Sequence, residues 1–136
     1  MQGQQYNQAV NSHAIAVANK GFTLKPSDLT TPSSGYIVSI EENPIKIPET
    51  DFDVLAFTKA FNAKAAEING KADLYVGGWL SEGVWYIEMV QVVASRADAI
   101  FLGTSLKQQA VWDVVNKSNI WLAPYYVTNG DGNEQQ

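Results

Sequence analysis

Ten consecutive residues, Val84-Trp85-Tyr86-Ile87-Glu88-Met89-Val90-Gln91-Val92-Val93, constrain this chain more than any other stretch. A run so rich in β-branched and aromatic side chains reads as a strand. Alternation along a strand puts Val84, Tyr86, Glu88, Val90 and Val92 on one face and Trp85, Ile87, Met89, Gln91 and Val93 on the other. Each face is apolar apart from one polar residue, Glu88 or Gln91. Such a strand belongs at the centre of a sheet, covered on both sides or covered on one side with an interface on the other. Just before it, Ala72 to Leu80 reads as a second strand, and the tight turn Ser81-Glu82-Gly83 joins the two into a hairpin.

The flanking segments supply the cover. A first helix is expected from about Asn7 to Asn19, with Val10, Ala14 and Val17 on one stripe and Gly21 as its left-handed stop. Tyr36-Ile37-Val38-Ser39-Ile40 is a strand ended by Pro44 and Pro48. Thr50-Asp51-Phe52-Asp53 has the spacing of a capping box and opens a second helix that stops at Asn69-Gly70. Its apolar residues surround much of its circumference, so it is either largely buried or meets a second copy of the chain. Ser95-Arg96-Ala97-Asp98 opens a third helix, expected to run to about Asn116. Helical spacing gives it a core face of Ala99, Ile100, Leu102, Gly103, Leu106, Ala110, Val111 and Val114. A last strand, Ile120 to Ala123, stops at Pro124. The order α-β-α-β-β-α-β describes an α+β fold, with about four mostly antiparallel strands and three helices packed on the sheet.

At 136 residues the chain has the length of one domain. The expected boundaries are a flexible polar tail over 1–8, one globular domain over 9–128, and a second polar tail over 129–136. Segment 129–133, Asn-Gly-Asp-Gly-Asn, resembles a piece of a calcium loop but lacks the remaining ligand spacing, so it reads as tail. The start of the chain shows neither the basic residues nor the apolar stretch of a signal peptide. No run nears the ~20 apolar residues that span a bilayer. A cytoplasmic location is the expectation. The absence of cysteine excludes disulfides, thiolate nucleophiles and zinc–sulfur sites. One histidine, His13, makes a histidine-ligated metal unexpected; it reads as a surface or packed residue. No metal and no cofactor is expected. A net charge of −5, with nine dispersed basic residues, argues against nucleic acid as a partner.

Phosphate-loop, dinucleotide, zinc-protease and nucleophile-elbow motifs are all missing. Gly77-Gly78 sits inside a strand, where a bulge or close backbone approach accounts for it. Three polar residues are the candidates for acid–base chemistry: Glu88, Tyr86 and Asp113. Apolar neighbours would desolvate Glu88 and raise its pKa toward a catalytic range. The structural reading pairs it with a base such as Arg96 or Lys107, or lets it reach water at the rim of the sheet. On the third helix, Phe101, Ser105, Gln108 and Trp112 fall together opposite the core face. Two large aromatics so placed call for cover, either by the chain's own loop over 22–34 or by a partner protein.

Several short motifs occur in an order and spacing that resemble an uncharacterised family of bacteriophages and related mobile elements. They are Gly21-Phe22-Thr23 with Thr31-Pro32-Ser33-Ser34-Gly35-Tyr36-Ile37-Val38-Ser39, then Gly77-Gly78-Trp79 and Gly83-Val84-Trp85-Tyr86-Ile87-Glu88. Arg96-Ala97-Asp98-Ala99-Ile100 and Gln108-Gln109-Ala110-Val111-Trp112-Asp113 follow. The likeness spans roughly residues 20–122. Lys107 stands where the family's last motif usually has Asn, and Glu88 where the family often has Asp. The resemblance implies a phage or plasmid context and carries Tyr86, Glu88, Arg96, Gln108, Trp112 and Asp113 forward as candidates. It implies no activity.

Three functions compete on these grounds. The first is a non-catalytic accessory protein that binds a host or phage protein through Phe101, Ser105, Gln108, Trp112 and Arg96. The others are a small enzyme centred on Glu88 and a virion component. A membrane is not expected as a partner, and a homo-oligomer remains open.

Overall fold

The computed structural model describes residues 3–126. In chain order the elements are α1 (Gly3–Asn19), β1 (Gly21–Leu24), β2 (Tyr36–Ser39), β3 (Ile45–Pro48), α2 (Val54–Ile68), β4 (Leu74–Ser81), β5 (Val84–Val93), α3 (Arg96–Ser105), β6 (Ala110–Asp113) and β7 (Ser118–Trp121). The fold is α+β, with three α-helices and antiparallel strand pairing among the described residues. Seven strands replace the expected four. The three additions are β1, β3 and β6, each four residues long. Residues 3–8, expected as tail, are helical. The tail expected over 129–136, with its calcium-loop fragment, lies outside the described residues, as do residues 1–2.

The chain divides into two compact units, 3–32 with 41–91 and 33–40 with 92–126. In the first unit β5 is central, with β4 on one side and β3 on the other, and β1 lies beyond β4. The hairpin turn falls where the sequence puts it: Glu82 and Gly83 both take positive φ, 50° and 79°, which suits a two-residue connection. Trp85 and Ile87, on one face of β5, join Phe22, Phe52, Phe57, Phe61 and Ile68 in a core that also takes Ala16 from α1. Trp85 stacks on Phe52 with ring centroids 4.3 Å apart and planes 14° from parallel. His13 belongs to the same packing. Its Nε2 donates to the Phe52 carbonyl at 2.8 Å, and its ring lies 5.2 Å from that of Phe52.

Local signals were shifted more often than absent. Over residues 7–19 of α1 the buried residue is Ala16, while Ala14 and Val17 of the expected stripe are exposed. The left-handed residue that ends α1 is Lys20 (φ 60°), which frees Gly21 to pair with Trp79 in β1. The second helix is capped by Asp53, whose side chain accepts from Ala56 N–H at 2.8 Å, and not by Thr50. Residues Glu49–Asp51 form a 3-10 turn before it. Asn69, at φ 50°, ends α2 as expected. The helix buries one side only: Phe57, Ala60, Phe61, Lys64 and Ile68 are inside, and Leu55 is exposed.

Gly77 and Gly78 need neither a bulge nor a ligand, because the β4–β5 register runs unbroken from Leu74↔Gln91 to Ser81↔Val84. A Cβ on Gly78 would stand 2.3 Å from the Phe22 ring, and one on Gly77 would stand 2.7 Å from Val90. The pair lets side chains crowd the strand from both faces.

The second unit is smaller. β6 pairs with β2 on one side and β7 on the other. Its core is aliphatic: Val38, Ala99, Val111 and Leu122. Ser95 caps α3, accepting from Asp98 N–H at 3.2 Å, as its sequence indicates. The helix then stops at Ser105, eleven residues short of the expected Asn116. Lys107 takes φ 60°, its N–H donates to the Thr104 carbonyl (3.0 Å), and Gln108 N–H donates to the Gly103 carbonyl (2.9 Å). This is a Schellman stop with lysine where glycine usually sits.

Candidate functional site

Ending α3 at Ser105 dismantles the expected helical stripe. Phe101 and Ser105 stay on α3, Gln108 lies in the connection, and Trp112 is on β6. The helix packs on the face of the sheet that carries Val38, Val111 and Leu122, with Gly103 close against the last two. Alternation sends Trp112, next to Val111, to the opposite face. Phe101, 74% exposed on α3, and Trp112 therefore sit on opposite sides of the second unit. They are not one surface.

Trp112 has a different neighbour. It stands opposite Asn119 on β7, and Ala110 stands opposite Trp121. Trp112 and Trp121 are thus diagonal neighbours across β6–β7, within reach of each other as large rings are. Ile37 of β2, opposite Trp112, shares their face. Trp112 is 39% exposed and Trp121 60%. Next to Trp121 a shallow hollow of about 550 Å3 is lined by Lys107, Gln108, Gln109, Trp121, Ala123 and Tyr126. The Tyr126 hydroxyl donates to the Gln108 carbonyl and fixes one wall. Sequence reasoning missed Trp121 as a site residue. Period-2 spacing of Ala110, Trp112 and their partners held the signal, but helical spacing through Val111 and Val114 overrode it.

The remaining candidates are held in separate local arrangements. Arg96 donates from Nη2 to the Tyr125 hydroxyl at 3.2 Å. Asp113 is buried and accepts from the side chain of Asn116 (2.7 Å) and from its backbone N–H (3.1 Å). These bonds, the side-chain one foremost, hold the Asp113 carboxyl below the ordinary value of 3.8. A carboxylate held ionised in this way closes the β6–β7 connection; it is a poor proton donor near neutral pH. In the first unit Tyr86 stacks on Trp79, with centroids 5.9 Å apart, and Lys46 Nζ lies 6.0 Å from its ring. Glu88 is only 2% exposed, opposite Gly77 on β4.

An ionic arrangement that sequence reasoning did not single out lies beside β5. Lys64, on the buried side of α2, donates to Glu41 Oε2 at 2.8 Å, and the other oxygen of Glu41 accepts from the Met89 backbone N–H. The Asn43 carbonyl and Glu67 lie 3.4 and 3.5 Å from the same ammonium. The carboxylate takes the Met89 N–H just past the end of β3, whose pairing on β5 stops at Ile87.

Among the described residues no three His, Asp or Glu side chains are grouped to hold a metal ion, and no helix is long and apolar enough to cross a membrane. Comparison with protein-family models, curated proteins and solved structures finds no match to this chain.

Proposed function

We propose that this chain is a non-catalytic accessory protein of a bacteriophage or related mobile element, acting by binding a host or phage protein. The observation that carries the reading is the Trp112–Trp121 pair, exposed on the sheet face of the second unit that α3 does not cover. Tryptophans are costly to leave in water and are enriched among the residues that dominate binding energy. The phage context rests on the motif resemblance, and the working location is the host cytoplasm or the virion.

The residues nominated for chemistry support the same reading. Tyr86 is stacked, Asp113 is engaged by Asn116, and Glu88 offers almost no surface to a substrate. The test is capture of a partner from host lysate by the tagged protein, identified by mass spectrometry. Trp112→Ala and Trp121→Ala should each weaken capture by about 2 kcal/mol while shifting folding stability by about 1 kcal/mol or less. Undiminished capture by the double variant would sink the proposal.

A further inference from the structure

The free edge of β7 lies beside the two tryptophans, and its geometry says how a partner would be held. Among the described residues β7 pairs with β6 alone and ends the strand order. Leu122 N–H donates to the Gln109 carbonyl at 2.9 Å, which makes that couple a hydrogen-bonded pair of the ladder. Antiparallel ladders alternate, so Ile120 and Ser118 also turn their main-chain groups toward β6. Asn119 and Trp121 turn theirs outward. An edge with outward N–H and C=O groups is a template for one more strand.

Other edges are less suited. β3 carries Pro48, which has no N–H to offer, and β1 is half-buried throughout. β7 is exposed at Ser118, Asn119 and Trp121, and the hollow beside Trp121 offers a place for a side chain of the added strand. Charge narrows the choice of occupant. Between Lys107 and Tyr126 the ionisable acid–base side chains with full charge are Lys107, Asp113 and Lys117, and Asp113 is buried and bonded to Asn116. Within residues 107–126 the exposed charge is therefore positive, on a chain of net charge −5.

We infer that β7 binds an extended acidic segment of a partner protein by strand addition. The backbone of the segment bonds to Asn119 and Trp121, its carboxylates lie toward Lys107 and Lys117, and one apolar side chain enters the hollow. This deepens the proposed interaction function and rests on it. Main-chain bonds supply affinity in this mode and alternate side chains supply specificity.

The probe is a displayed library of random peptides of about twelve residues, long enough to overlay β7 and reach both lysines. Selection on the full chain should enrich peptides that alternate apolar residues with Asp or Glu. Binding should protect the Asn119 and Trp121 amides from exchange and weaken as salt is raised. Asn119→Pro removes one outward N–H at an edge position where proline is tolerated, and should abolish binding. The exposed double variant Lys107→Glu with Lys117→Glu should weaken it about tenfold or more, and carries the test should the proline variant fail to fold. No enrichment, or enrichment of neutral or basic peptides, overturns the inference. So does a synthetic peptide of residues 127–136 that outcompetes all selected sequences, or a peptide-induced dimer of the chain. Binding lost in Trp121→Ala but kept in Asn119→Pro, with both amides unprotected, overturns strand addition and leaves the interaction function standing.

Discussion

The two units place most of their aromatic residues differently. In the first, Phe22, Phe52, Phe57, Phe61 and Trp85 face inward and meet edge-on, tilted or, for Phe52 and Trp85, stacked, leaving Trp79 on Tyr86 as that unit's exposed large ring. In the second, the buried core is four aliphatic residues, while Phe101, Trp112, Trp121, Tyr125 and Tyr126 are at the surface. Rings inside a core contribute to stability through buried area and tight contact. Rings outside contribute nothing comparable and expose apolar surface. On the proposed reading, stability rests on the first unit's rings and recognition on the second's.

The sharpest way to break this comparison is to truncate one ring from each unit. Trp85→Ala removes an indole that is 2% exposed and should cost about 3–5 kcal/mol of unfolding free energy in urea. Trp121→Ala, under the same measurement, should cost about 1 kcal/mol or less. Equal losses would end the division of labour. A second test stays within the first unit. Lys64→Met leaves Glu41 without its cation at a site where the two side chains are 5% and 11% exposed, and should cost about 3 kcal/mol. Adding Glu41→Gln should recover part of that loss, because the uncompensated charge is gone. A Lys64→Met protein with an unshifted urea midpoint would show that the pair is solvated.

The smallest expected effect concerns a feature the units share. Asp28 in the first accepts from the side chain and backbone of Thr30, and Asp113 in the second from the side chain and backbone of Asn116. Both carboxyls are held below 3.8 by these bonds. A depressed folded-state pKa adds stability that is complete above the unfolded value and is lost as pH falls through the folded one. The stabilisation these groups contribute should therefore be complete and independent of pH near neutrality, and should decline below about pH 4. In Asn116→Ala, a carbon-detected titration should show Asp113 moving up toward its ordinary value while Asp28 stays put. No movement of Asp113 would contradict the assigned cause.

What the sequence disclosed follows from which signals are local. The hairpin turn at Glu82-Gly83, the cap at Ser95 and the stop at Asn69 each need only a few adjacent residues, and each is where it was expected. β3 was hidden because Pro44 and Pro48 read as breakers, although a proline at the end of a short strand removes little pairing. The end of α3 was hidden for another reason. Its stop is a left-handed lysine, which leaves no glycine or proline to see, and Ala110, Val111 and Val114 continue the helical spacing by coincidence. That single error misplaced Trp112 and with it the candidate surface. Once β6 and β7 are paired, Trp121 follows from register alone.

The carboxylate of Glu41 has a consequence for where this chain can be lengthened. It fastens the backbone to Lys64 and Met89 just before residues 42–44, and Ile45 fastens it again opposite Ile87. Between those two moorings Glu42 and Asn43 are exposed and take no place in a strand. An epitope or fluorophore tag spliced after Glu42 would be stretched between fixed posts, with neither register nor helix packing displaced on either side.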